Sequence, residues 1–130
     1  MEKIRIKKKL SDIEKEKFKL VQELSRKGDL EGVIKGMEEL LELDPNHALF
    51  RAMLANALDE FGKSDVAEKE FKKSVELEPT SEIISLNLFH CLWGQDKQIE
   101  AFDEMKRFMS ISDCEDYRSI LKEIKEKWVD

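Results

Sequence analysis

Histidines, cysteines and a surplus of carboxylates are the groups in this chain best suited to acid–base, nucleophilic or metal chemistry. His47 and His90 stand in no metal-ligand spacing, and Cys91 and Cys114 are too few and too far apart for a metal knuckle or a disulfide framework. Acidic runs such as Glu14/Glu16 and Glu38-Glu39 have lysines nearby and read as solvated helix faces. No Gly-rich phosphate loop, H-E-x-x-H or G-x-S-x-G occurs. The sequence therefore predicts no enzyme, no cofactor and no metal site. What is left is recognition chemistry. Asn56 and Asn87 carry amides that can pair with both the N–H and the C=O of an extended backbone. His90, one turn from Asn87, can hydrogen-bond a ligand or stand exposed. Leu49, Met53, Ile83, Leu86 and Trp93 supply large apolar surface, either as binding anchors or as core.

Helices must position these groups. Of the 130 residues, 40% are charged and 41% apolar, with only five Gly and two Pro, which points to an all-α chain. Ser11-Asp12-Ile13-Glu14 forms a capping box ahead of Phe18, Leu20, Val21 and Leu24, and Gly28 stops that helix. Leu30 to Leu43 make a second helix ended by Pro45, and Asn46 caps a third that closes at Gly62. A fourth begins near Asp65 and stops at Pro79, and Thr80 or Ser81 opens a fifth that Gly94 breaks. The sixth holds Ile99 to Met109. Ser112-Asp113-Cys114-Glu115 repeats the capping-box pattern before a seventh, whose Lys122, Glu123, Lys125, Glu126 and Lys127 give it the polar face of a terminal cap.

Pro45 and Pro79 close the similar phrases Glu-Leu-Asp-Pro and Glu-Leu-Glu-Pro. The interval between them, about 34 residues, is the period of a stacked helical repeat. With Pro79 at the thirty-second position, the second unit (about 48–81) matches with Leu54, Ala55, Leu58, Ala67, Phe71 and Ser74. The first (about 14–47) matches with Leu20, Val21, Leu24, Val33, Met37, Leu40 and Pro45. The third (about 82–114) matches with Leu88, Phe89, Leu92, Ala101, Met105 and Phe108. On these residues the chain resembles the tetratricopeptide repeat, with Arg51 in the usual Trp position and Asp113 where the third proline would stand.

The resemblance implies a right-handed helical-repeat solenoid of three antiparallel helix pairs and one C-terminal helix (about 114–128). It forms a single domain over 11–130 behind a basic tail at 1–10. It also implies a concave groove lined by the first helix of each pair. Groove positions are then Lys15, Phe18, Lys19, Gln22 and Ser25, next Leu49, Ala52, Met53, Asn56 and Asp59, and next Ile83, Leu86, Asn87, His90 and Trp93, with Tyr117 and Ile120 added by the seventh helix. Leu49, Ala52, Met53, Asn56, Ile83, Asn87, His90 and Trp93 are the partner-binding set. The lysine position of the carboxylate clamp found in chaperone-binding repeats is Ala52 here, and its later cationic positions are Tyr117 and Leu121, so that clamp is incomplete.

The expected function is non-catalytic binding of a protein or peptide, as an adaptor or chaperone-like module. One rival is an inhibitor or immunity-type protein whose acidic body, net −6, covers a basic partner such as a toxin. Another is a structural homodimer, formed through the groove or through the stripe Gly28, Gly32 and Gly36. The negative charge disfavours nucleic acid, except at Lys3, Arg5, Lys7, Lys8 and Lys9. No apolar run approaches the roughly 20 residues of a membrane span. With two cysteines and no secretory h-region, the expected setting is the cytoplasm.

Overall fold

The structure is a computed structural model that describes residues 9–128; the basic residues 3–8 lie outside the described residues. Seven helices follow one another: α1 (Asp12–Arg26), α2 (Leu30–Leu43), α3 (Ala48–Glu60), α4 (Ser64–Leu77), α5 (Glu82–Gly94), α6 (Gln98–Met109) and α7 (Glu115–Trp128). No strand occurs among the described residues. α1–α2, α3–α4 and α5–α6 pack as pairs, and α2 on α3 and α4 on α5 join the pairs into one stack.

The helix ends are written in local chemistry. The Ser11 capping box is complete: its hydroxyl accepts from Glu14 N at 3.2 Å and its own N–H donates to Glu14 Oε1 at 2.9 Å. Ser81 caps α5 through Ile84 N. Three details depart from expectation. α3 is capped by His47 instead of Asn46: its Nδ1 accepts from Phe50 N at 3.1 Å while its ring stacks on Phe50. Gly94 stays helical, and the left-handed turn falls on Asp96 (φ 60°). Gly28 (φ 77°), Gly62 (φ 91°) and Asp96 hold the same register position in successive repeats, so the turn obeys the repeat even without glycine. The second capping box does not form, because α7 starts only at Glu115 and the Ser112 hydroxyl donates to Asp113 O.

The core runs along the stack through Val21, Met37, Leu40, Phe50, Ala55, Phe71, Ile84, Leu88, Ala101 and Phe108. Gly36 is part of its construction. A Cβ there would stand 2.5 Å from Val21 Cγ2, so the bare position lets α1 approach α2. At Gly32 a Cβ would meet the Asp29 cap and Leu24. The glycine stripe of α2 thus serves contacts within the first pair, not a docking helix from outside.

Pairing across the stack is partly ionic. Arg51 replaces the usual aromatic, pairing with Glu70 at 2.7 Å and donating to the Pro45 carbonyl at 2.7 Å. One repeat later Ser85 occupies the Arg51 position, and Arg107 takes over: it binds Glu104 through two nitrogens and reaches the Pro79 carbonyl at 2.9 Å. α7 is fastened to this cluster, since Ser85 Oγ lies 2.7 Å from both Glu104 Oε2 and Tyr117 Oη.

Candidate functional site

Two helix rows build the stack, and the odd-numbered row is closely spaced. α3 packs directly on α5, and the Phe18 and Phe50 rings stack at 5.6 Å between α1 and α3. A tighter row is the inside of a curved stack, so the inner face consists of α1, α3, α5 and, at the end, α7. The repeat register lays its residues out as a grid. One line is Lys15, Leu49 and Ile83; the next is Lys19, Met53 and Asn87; the third is Gln22, Asn56 and His90.

Leu49 and Ile83, one repeat apart in the register, are 43% and 59% exposed. Met53 is half-buried against the core, and Asn56 and His90 are exposed. Asn87 is half-buried. Ala52, with only 1% of its surface exposed, is core, and its side chain is not offered to a partner. Tyr117 is likewise removed from the groove. It is fully buried against Phe89 and Phe108, because α7 starts one residue earlier in the register than a fourth repeat would and turns the ring inward. Burial pushes its hydroxyl well above the usual phenol range. Trp93 packs into the core through its rings and is half-buried. It stacks on Phe89 at 5.7 Å and meets the Phe102 edge at 5.6 Å.

Hollows interrupt this face, one of about 440 Å³ over α1 against Lys15, Phe18, Lys19 and Gln22 and two others. The larger, about 690 Å³, lies between the first pair and α3 and is lined by Gln22, Arg26, Met53, Asn56 and Glu60, among others. The smaller, about 290 Å³, lies between α5 and α7, with Phe89, Trp93, Ile120 and Ile124 as walls and His90 and Lys127 beside them. Asn56 and Asn87, paired from sequence, are separated by less than a full repeat and so stand on different lines of the grid. The true counterparts of Asn56 are Gln22 and His90, which the period alone reveals.

Other ionisable groups are structural. Glu68 accepts from Lys72 at 2.7 Å, Lys97 at 2.8 Å and Gln95 at 3.2 Å, tying α4 to the turn before α6. Burial alone would raise its carboxyl, but the two lysines outweigh that and hold it below the ordinary value. Cys91 and Cys114 are free and buried. Burial, then Asp59 and Glu68, push the Cys91 thiol up to about 11. Among the described residues no group of His, Cys, Asp and Glu could hold a metal, and no helix is long and apolar enough to cross a membrane.

Solved structures share this architecture. The first such repeat domain of Spaghetti (RPAP3), bound to the HSP90 peptide SRMEEVD, matches with a TM-score of 0.74 at 16% identity, covering 87% of this chain and 93% of that one. The chain has the tetratricopeptide-repeat fold. The Yersinia enterocolitica type III secretion chaperone SycD, in complex with a peptide of the translocator YopD, has the same repeat fold at a TM-score of 0.74 and 16% identity, covering 90% of each chain. A MamA RS-1 double mutant matches at 0.73 and 18% identity over 80% of this chain, which spans 58% of that protein. At these identities the likeness is one of fold. No family model matches the sequence, and no curated protein does.

Proposed function

We propose that this chain is a non-catalytic interaction module that captures an extended segment of a protein partner on the inner face of α1, α3 and α5. The observation that carries the reading is the grid. Exposed Leu49 and Ile83 repeat in one register, and the hydrogen-bonding side chains Gln22, Asn56 and His90 repeat in another. Apolar side chains of the partner cover Leu49, Ile83 and the wall made by Trp93. Its backbone meets the amides and the imidazole, which suits binding that tolerates sequence variation. Both peptide-bound structures cited above belong to this fold, which supports a peptide as occupant.

The test is affinity capture from lysate with the wild-type chain and with Leu49→Asp/Ile83→Asp, both sites being exposed enough to leave helicity unchanged by circular dichroism. Loss of the retained proteins in the variant is the expected result, and equal retention would overturn the reading. A second reading, a homodimer through the outer face of α1, is favoured by Ile13 and Leu20, which stand 63% and 57% exposed one heptad apart. A concentration-independent monomer in sedimentation excludes it.

A further inference from the structure

Side chains close the N-termini of α1, α2, α3 and α5: Ser11, Asp29, His47 and Ser81. His47 and Ser81 hold one register position in successive repeats. Each accepts from the third N–H of its helix, Phe50 N at 3.1 Å and Ile84 N at 3.4 Å. The two caps differ in one respect. A serine hydroxyl keeps its lone pairs throughout the ordinary pH range, whereas an imidazole nitrogen accepts a bond only while it carries no proton. Imidazoles are also the side chains that ordinarily change charge between about pH 5 and 8.

A proton on Nδ1 would set two donors against each other across the Phe50 contact and place a cation at the positive end of the α3 dipole. The ring has little room to turn away. It lies face to face with Phe50, centroids 3.6 Å apart, and Phe50 is buried and stacked on Phe18 of α1. The ionisable groups at this end of the neighbouring elements are of both signs. They are Glu14, Lys15 and Lys17 on α1, Glu42 and Asp44 at the end of α2, Arg51 on α3, Glu70, Lys73 and Glu78 towards the end of α4, and Glu82 on α5. The ion pairs formed there are Lys17 with Glu39 and Arg51 with Glu70, and neither takes in the imidazole. Among the described residues no ion pair would hold a charged His47 in place of the lost bond.

We infer that His47 is a proton-operated cap, which holds the first turn of α3 while the imidazole is neutral and releases it in acid. The folded chain needs the nitrogen bare and the unfolded chain does not, so unfolding takes up a proton and stability falls as the pH is lowered. Ala48, Leu49 and Phe50 form the turn that is released. On the groove reading above, on which this last step rests, loss of that turn unseats Leu49 and weakens capture of the partner.

Hydrogen exchange of the Phe50 and Ile84 amides at about pH 7.5 and 5.5, in wild type, His47→Ser and His47→Ala, tests the cap. Ile84, capped by Ser81, is the reference within the same molecule, so a general loss of stability in acid cancels. In wild type the protection of Phe50 relative to Ile84 should fall about ten-fold in acid, the order of a lost cap. His47→Ser, which gives α3 the cap of α5, should hold that ratio constant, and His47→Ala should keep it low at both pH values. A constant ratio in wild type, or one that falls equally in His47→Ser, overturns the inference and leaves the groove reading untouched. Lysate capture at the same two pH values tests the last step: it should weaken in acid more for wild type than for His47→Ser. Equal weakening, with the Phe50 ratio still moving, keeps the cap and overturns its link to binding. Capture indifferent to Leu49→Asp/Ile83→Asp overturns the groove reading whatever the cap does.

Discussion

The two ends of this stack solve the same problem by different means. Inside the stack, three register positions on each odd-numbered helix pack against the preceding pair: Phe50, Leu54 and Ala57 on α3, and Ile84, Leu88 and Cys91 on α5, all buried. On α1 the same positions are Glu16, Leu20 and Glu23, and all three face solvent. At the N-terminal end two of the three positions carry carboxylates, while Leu20 keeps an exposed apolar surface. The C-terminal end is covered by an added helix, which spends Tyr117 and Cys114 on the last pair and turns lysines and glutamates outward. The contrast shows that identical repeat geometry does not imply identical energetics. A residue's worth is set by whether a neighbour exists at its register position.

Removing the C-terminal contact should have the largest effect. Tyr117→Ala is expected to cost about 3–5 kcal/mol in urea unfolding, since it empties a fully buried aromatic site. It also removes the Tyr117 hydroxyl from Ser85 Oγ, and limited proteolysis should then cut first between α6 and α7. Unchanged stability and cleavage would show that α7 does not cap the stack. Next comes the matched pair Leu54→Ala and Leu20→Ala, one repeat apart. The buried site should lose about 2–5 kcal/mol and the exposed one less than about 0.5 kcal/mol. Comparable losses would mean that the α1 face is covered in solution, which is what an α1-mediated dimer requires.

A smaller effect than either buried-site truncation probes the ionic seam between the second and third pairs. Glu68→Gln should cost about 1–2 kcal/mol near neutral pH, as charge-assisted hydrogen bonds to Lys72 and Lys97 are weakened. Because the folded Glu68 carboxyl titrates below its unfolded value, its contribution is present above about pH 4.3 and is lost as pH falls through the lower folded value. The gap in urea midpoint between wild type and variant should therefore close in acid. A gap that persists once Glu68 is protonated in the folded chain would assign the cost to packing instead.

Much of the fold was legible because helix punctuation and period are local signals. Ser11, Gly28, Gly62, Ser81 and the two prolines each act within a few residues, so their roles follow from the sequence alone. The errors came where a second contact decided the matter. His47 displaced Asn46 as a cap because its ring also stacks on Phe50. Asp96 took the left-handed turn because the register of the whole repeat outweighed the glycine at 94. Gly36 looked like an outside docking stripe, since Val21 belongs to the preceding helix and only folding brings it to 2.5 Å of an added Cβ. The exposure of the expected groove positions is only partly legible. Leu49 and Ile83 stand exposed at their register positions. The burial of Ala52 and Tyr117 is not legible, because it depends on contacts between helices that only folding brings together.

The buried thiols give the molecule an unusual chemical silence. With its thiol held at about 11, Cys91 has roughly one thiolate in ten thousand at pH 7, and the few that form are shut away from reagents. Cys114 is hidden where α7 meets the last pair. Neither sulfur reacts at a rate set by its own nucleophilicity; each waits on a particular breathing motion. Departure of α7 uncovers Cys114, and separation of α4 from α5 uncovers Cys91. Thiol labelling at Cys114 and at Cys91 is therefore expected to report on the loosening of the end and on the parting of the middle.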